Sequence, residues 1–312
     1  MKSSRSAVAR GLSSCSLFAA LAAGCGPVIG PNDGATGDAA APEGSAPDAR
    51  VACPTRNSTQ SFVFARIAFV REEMGMTDVA DGFNIDNRVS RLGDTLTCRA
   101  GDLTSPTGEP GIDNQLARLM PTVDQMTGGA VDGAIQAAIN NGQMLVAITV
   151  SGIEDDCNDD GVDVTLQRVE GMPFVGSDMS VDPGQTFDRM RMVPISQLRG
   201  RITDRTLLTD PAMLPLPVAI LDEQFTLQFY NARIRLALSP SGGDSPGIIG
   251  GAISLSEFGQ VLAQIENIPE SLKMQVNGGL ALFADLDRNA MGKCEKISGA
   301  LRIMARPAFV LE

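Results

Sequence analysis

The apolar residues of this chain come in short runs of alternating or β-branched character, a pattern that restricts it to a β-rich body. Residues 61–70 (SFVFARIAFV), 143–152 (QMLVAITVSG), 162–169, 225–238, 248–255 and 297–305 read as strands. Within 225–238, Phe225, Leu227 and Phe229 share one parity, and Ile234, Leu236 and Leu238 the other. Side chains on a strand repeat every two residues, so the switch predicts a bulge or bend near Tyr230–Asn231. Residues 112–119 read as a short helix ended by Pro121. Residues 130–140 place Val131, Ile135, Ala138 and Ile139 on one helical face, closed by Asn141–Gly142. Ser254 and Glu257 have capping-box spacing for a helix to Ile265, and Pro269 begins another helical piece. Residues 71–113 and much of 171–217 carry loop signals. The fold class this predicts is α+β, a sandwich-like β-rich domain over residues 51–312 with a few short helices at its edges.

The first residues carry a different message. Lys2, Arg5 and Arg10 precede an apolar stretch from Gly11 to Gly24, interrupted by Ser13, Ser14 and Ser16. A bilayer-spanning helix needs about 20 apolar residues, whereas an export signal needs about 7–15 behind a basic flank. Residues 21–25, LAAGC, resemble the lipobox of bacterial lipoproteins, with Ala22 where leucine is commonest. The resemblance implies cleavage after Gly24 and diacylation of Cys25, an anchor of palmitate-like chains stable at about 0.8 kcal/mol per buried methylene. Gly26, where an aspartate is lacking, resembles the outer-membrane sorting pattern, on either the periplasmic or the surface side. Residues 26–50 are mostly Gly, Pro and Ala, a composition that buries no core and predicts a disordered tether. GFNIDNR (82–88) and SPTGEPGIDNQL (105–116) resemble segments of uncharacterised lipoproteins of GC-rich Gram-negative bacteria, a resemblance that implies no activity.

Composition excludes several chemistries. The formal net charge is −12, and removal of the three basic residues of the signal takes it to −15. Such a surface disfavours nucleic acid and electrostatic docking on anionic lipid. The chain has no histidine, which removes Ser-His-Asp and Cys-His catalysis and histidine zinc sites. It has no tryptophan and one tyrosine, Tyr230, so a sugar-stacking cleft is disfavoured. Neither a GxGxxG nor a P-loop pattern is present.

Four cysteines remain once Cys15 leaves with the signal and Cys25 is acylated: Cys53, Cys98, Cys157 and Cys294. An even set in an exported chain predicts two disulfides with three possible pairings. Cys53–Cys294 and Cys98–Cys157 are the pairing expected, because Cys53 precedes the first strand and Cys294 the last.

The remaining signal is acidic. Residues 154–163 (EDDCNDDGVD) hold six carboxylates and no base. Oxygen-rich loops suit Ca²⁺, and the candidate ligands are Asp155, Asp156, Asn158, Asp159, Asp160 and Asp163. Asp285, Asp287 and Asn289 have the spacing of an EF-hand start, but Ala290 and Lys296 stand where that motif needs Gly and Glu. A third polar zone contains Asp81, Asn84, Asp86, Asp102, Glu109, Asp113 and Asn114, and a cation site shared with 154–163 follows if Cys98 and Cys157 pair. The expected role is a lipid-anchored, non-catalytic structural, binding or envelope-assembly domain, whose partner is an envelope protein or an extracellular ligand. The alternatives are a carboxylate hydrolase acting on polysaccharide or peptidoglycan and a calcium-dependent adhesion module.

Overall fold

The computed structural model describes residues 53, 55–95, 98, 100–220, 223–264 and 269–311. Its first strand, β1 (Thr55–Phe69), leads into an irregular segment that holds β2 (Leu103–Thr104) and β3 (Pro110–Ile112). Two helices follow, α1 (Gln115–Thr127) and α2 (Ala130–Asn140), and then β4 (Val146–Asp155) and β5 (Asp159–Glu170). The middle of the chain is β6 (Gln185–Arg189), β7 (Ser196–Thr203), β8 (Thr206–Thr209), β9 (Ala212–Ile220) and β10 (Glu223–Ala237). It finishes with β11 (Ser245–Ser254), α3 (Leu255–Gln264), α4 (Glu270–Phe283), β12 (Leu286–Arg288) and β13 (Cys294–Leu311).

The expected sandwich is overturned by closure of the sheet. β1, β4, β5, β7, β8, β10, β11 and β13 pair antiparallel in that order, and β13 pairs β1 to complete a ring. This is an eight-stranded up-and-down barrel in which each barrel strand lies beside its neighbour in the chain. β13 makes closure possible through its length of 18 residues. Residues 296–305 pair β11, while 301–307 pair β1 on the other edge. β6, β9 and β12 are extra strands that extend the wall.

An eight-stranded barrel is just wide enough for side chains to fill it. Cross-strand partners share a face, so Ile202, Leu207, Leu236, Ile303 and Ile67 form part of one inward layer. Ile234, Ile249 and Leu301 form part of the next, and all of these residues are buried. The same apolar cluster continues onto Leu116 and Leu119 of α1, Ile135 and Ile139 of α2, and Leu280 of α4.

The two ends of the barrel differ. Three short hairpin turns, β4–β5, β7–β8 and β10–β11, lie at one end, here called the mouth. The opposite end receives the longer connections, including α1–α2 and α3–α4. Between β1 and α1, the described residues of 70–114 form a belt against the outer face of β11 and β13. Val70, Phe83, Ile85, Leu103 and Ile112 of the belt cover Ile248, Ala252 and Ala300. Each large apolar side chain so buried contributes about 1.5–3 kcal/mol. Gly250 is required by this contact, since a Cβ there would stand 2.6 Å from the Phe83 ring.

Several elements match their sequence patterns. α2 spans the expected residues, with Ile135, Ala138 and Ile139 buried. The register of β10 shifts between Tyr230 and Arg233, with Asn231 at φ 49°, where the alternation changes parity. Pro121, by contrast, lies inside α1 rather than ending it. The helix begins later than expected, at Gln115, where the Asn114 side chain caps Ala117 N–H, and it continues to Thr127. The acidic stretch 154–163 is mostly strand, forming the two arms of the β4–β5 hairpin.

Candidate functional site

The disulfides differ from the expected pairing. Cys53 joins Cys157, and Cys98 joins Cys294. Placing Cys53 before the first strand and Cys294 at the last correctly located both residues near element ends. It did not reveal which end of the barrel each occupied. Cys53 and Cys157 meet at the mouth, whereas Cys98 and Cys294 tie the belt to the start of β13.

That second bridge ties the belt to the β12–β13 hairpin rather than to residues 154–163. Asp285 is 4% exposed and Asp113 2% exposed, with Ser298 fully buried beside Asp285. Ser298 donates its N–H to Asp285 Oδ1 at 2.8 Å and its hydroxyl to Oδ2 at 2.5 Å. Gln115 N–H donates in turn to Ser298 Oγ at 2.9 Å. Asp113 Oδ2 accepts from the backbone of Ile85 at 2.6 Å and of Asp86 at 3.2 Å, which folds the belt around it. Asp102 Oδ2 accepts from Ser90 N–H at 2.5 Å.

Burial dominates the acidity of this cluster. It pushes Asp113 up to about 8, against the Ile85 hydrogen bond and with help from the charges of Asp285, Asp86 and Asp102. It pushes Asp285 up to about 7, against both Ser298 bonds. Asp102 is also raised by burial, although the Ser90 bond and the charge of Arg118 oppose the shift. Burial and the neighbouring carboxylates thus let Asp113 and Asp285 keep protons toward neutral pH.

The residues of the calcium expectation do not form one cage. Asp155 Oδ1 accepts from Cys157 and Asn158 N–H, and Asp159 accepts from Glu154 and Gly161 N–H. Asp156 accepts from Gln60, Asn158 accepts from Asp204 N–H, and Asp163 pairs with Arg199 on the neighbouring strand. Asp160 is exposed. In the second motif Asp285 faces Ser298, Asp287 pairs with Lys296 at 2.8 Å, and Asn289 caps Met291 and Lys293. Among the described residues, the trio of acidic or cysteine ligand atoms converging within 4.8 Å is Cys53, Asp155 and Cys157. Its two sulfurs are bonded to each other.

The mouth was not legible as a site. A cavity of about 520 Å³ opens there, between residues 59–62 of β1, the end of β13 and the β10–β11 turn. The three turns around it are laced together. Arg205 N–H donates to Cys157 O at 3.0 Å, Leu238 N–H to Arg205 O at 2.7 Å, and Asp204 N–H to Asn158 Oδ1 at 3.2 Å. Arg205 lines the cavity, and its Nη2 is buried without a hydrogen-bond partner. Asp204 and Arg205 both have positive φ, as the two central residues of a tight hairpin turn do. A second depression of about 680 Å³ lies beside β5 and β6, lined by Arg168, Glu170, Asp188 and residues 189–193.

No family model matches the chain, and neither a characterised protein nor a solved structure shows significant similarity to it.

Proposed function

We propose that this protein is a lipid-anchored domain of the bacterial envelope, held at the outer membrane by a diacylated Cys25 and serving binding or assembly rather than catalysis. The observation that carries this reading is the complete pairing of Cys53, Cys98, Cys157 and Cys294 into two disulfides. Disulfides of this kind persist in oxidising compartments outside the cytoplasm. The export signal and LAAGC lipobox belong to the same reading, and residues 1–52 lie outside the described residues.

The barrel wall supports attachment over insertion. A transmembrane barrel turns an apolar band outward. Here the cross-strand neighbours Asp163 and Arg199 point outward from β5 and β7, and Arg201 is exposed next to them. No helix among the described residues is long and apolar enough to cross a membrane. A carboxylate hydrolase needs two carboxyls facing a substrate cleft about 5–10 Å apart. Asp113 and Asp285 are almost fully buried and line neither of the two cavities described above, while Glu170 and Asp188, which line the second together, are both exposed, so neither has the burial that raises a general acid.

Metabolic labelling with palmitate in a Gram-negative host tests the anchor. The wild-type chain should take up label and sediment with outer membranes, while Cys25→Ala should lose the label and leave the membrane fraction. A Cys25→Ala protein that stays membrane-bound with unchanged mature mass would overturn the reading.

A further inference from the structure

We propose that the barrel mouth is a binding site for a small amphiphilic carboxylate, with Arg205 as the cation that receives its headgroup. The cavity of about 520 Å³ falls within the range of about 300–1,000 Å³ that small-ligand sites occupy, and barrel mouths are a common place for them. Phe62, Leu238, Pro240 and Ala308 give it an apolar wall, and Gln60 and Ser61 add polar groups at its side. A guanidinium presents its donors as a planar fork that matches a carboxylate two bonds at a time. Arg205 lines the cavity and takes part in no ion pair among the described residues; its Nη2 lacks an acceptor and is closed to water, so the guanidinium turns toward the cavity to receive a ligand. The one carboxylate lining the cavity among the described residues, Asp156, accepts from Gln60 Nε2 at 3.2 Å.

The frame around Arg205 is rigid. Its backbone bonds to Cys157 on one side and to Leu238 on the other, and Cys157 is tied to Cys53. With the turn held before binding, only the Arg205 side chain is left for the ligand to order. Below the mouth the barrel is filled by side chains, so the ligand's apolar part is limited to the length of the cavity. A medium-chain acid fits this description, with its carboxylate on Arg205 and its chain against Phe62, Leu238 and Ala308.

The test uses octanoate as the probe and the disulfide-intact chain carrying Cys25→Ala, which keeps acyl chains and detergent out of the measurement. Calorimetric titration should give saturable binding at one site. Arg205→Gln should weaken it tenfold or more, and octylammonium should bind no better than octanol. NMR shifts induced by octanoate in the unsubstituted mouth should centre on Ser61, Leu238 and Ala308, which keeps the proposal falsifiable if Arg205→Gln fails to fold. Absence of saturable binding, shifts centred elsewhere, or equal affinity in a folded Arg205→Gln protein would each overturn it.

Discussion

Asp113 and Asp285 show how a residue's neighbours decide its chemistry. Both belong to acidic motifs visible in the sequence, but their spacing suggested cation ligands, and Ser298 carried no signal at all. The missing information was long-range: Ser298 lies 13 positions from Asp285 and 183 from Gln115, the residues it connects. The consequence is a definite dependence of stability on pH. The folded chain holds protons on Asp113 up to about 8 and on Asp285 up to about 7, whereas the unfolded chain releases them near 3.8. Between those limits the folded state binds more protons, so stability falls as pH rises and levels off above about 8. The slope approaches about 1.4 kcal/mol per pH unit for each retained proton. Thermal melts should therefore show a higher midpoint at pH 5 than at pH 8.5, and Asp113→Asn should remove part of that difference. Asp178, held well below the usual carboxylate range by Ser180 and Arg306, acts in the opposite sense, and its contribution is lost progressively as pH falls below 3.8.

Among the elements, local patterns were legible and pairings between distant segments were not. The parity change in residues 225–238 located the β10 bulge because a strand's side-chain period is strict. Pro121 misled because a proline costs a helix one backbone bond, and α1 retains the Asn114 cap and its packing on β13. The belt is the element for which local pattern said least, since its structure depends on contacts with the barrel wall. Its bridge, Cys98–Cys294, spans 196 positions in the chain. Cys98→Ser with Cys294→Ser should lower stability by about 2–5 kcal/mol. Hydrogen exchange should then rise first at the backbone amides of Ile85, Asp86 and Ser90, whose bonds to Asp113 and Asp102 hold the belt in its fold. The β4–β5 hairpin makes the contrary case, because Asp155 and Asp159 are occupied by amides of their own turn, Asp156 by Gln60 and Asp163 by Arg199. Its melting midpoint should be the same in millimolar Ca²⁺ as in chelator, and a rise with Ca²⁺ would restore the hairpin as a cation site by mass action.

For the whole molecule, the β-rich composition was legible and the barrel was not. Sandwich strands and barrel strands share the same alternation, because each turns one face inward. The difference lies in whether the last strand reaches the first. The apolar pattern marked residues 297–305, but β13 runs on through Pro307 to Leu311, and that extension contributes to the contact with β1. Residues 51–312 consequently form one compact unit closed by pairing of its two ends. Closure also gives the Cys53–Cys157 bridge a mechanical meaning. A pull on the chain ahead of Cys53 would otherwise peel β1 away and unzip the ring at its seam. With the bridge in place, the load passes to the β4–β5 turn and is shared by three adjacent strands. The domain is thus strapped at the point where a pull from the preceding chain enters it, and reduction would remove that strap.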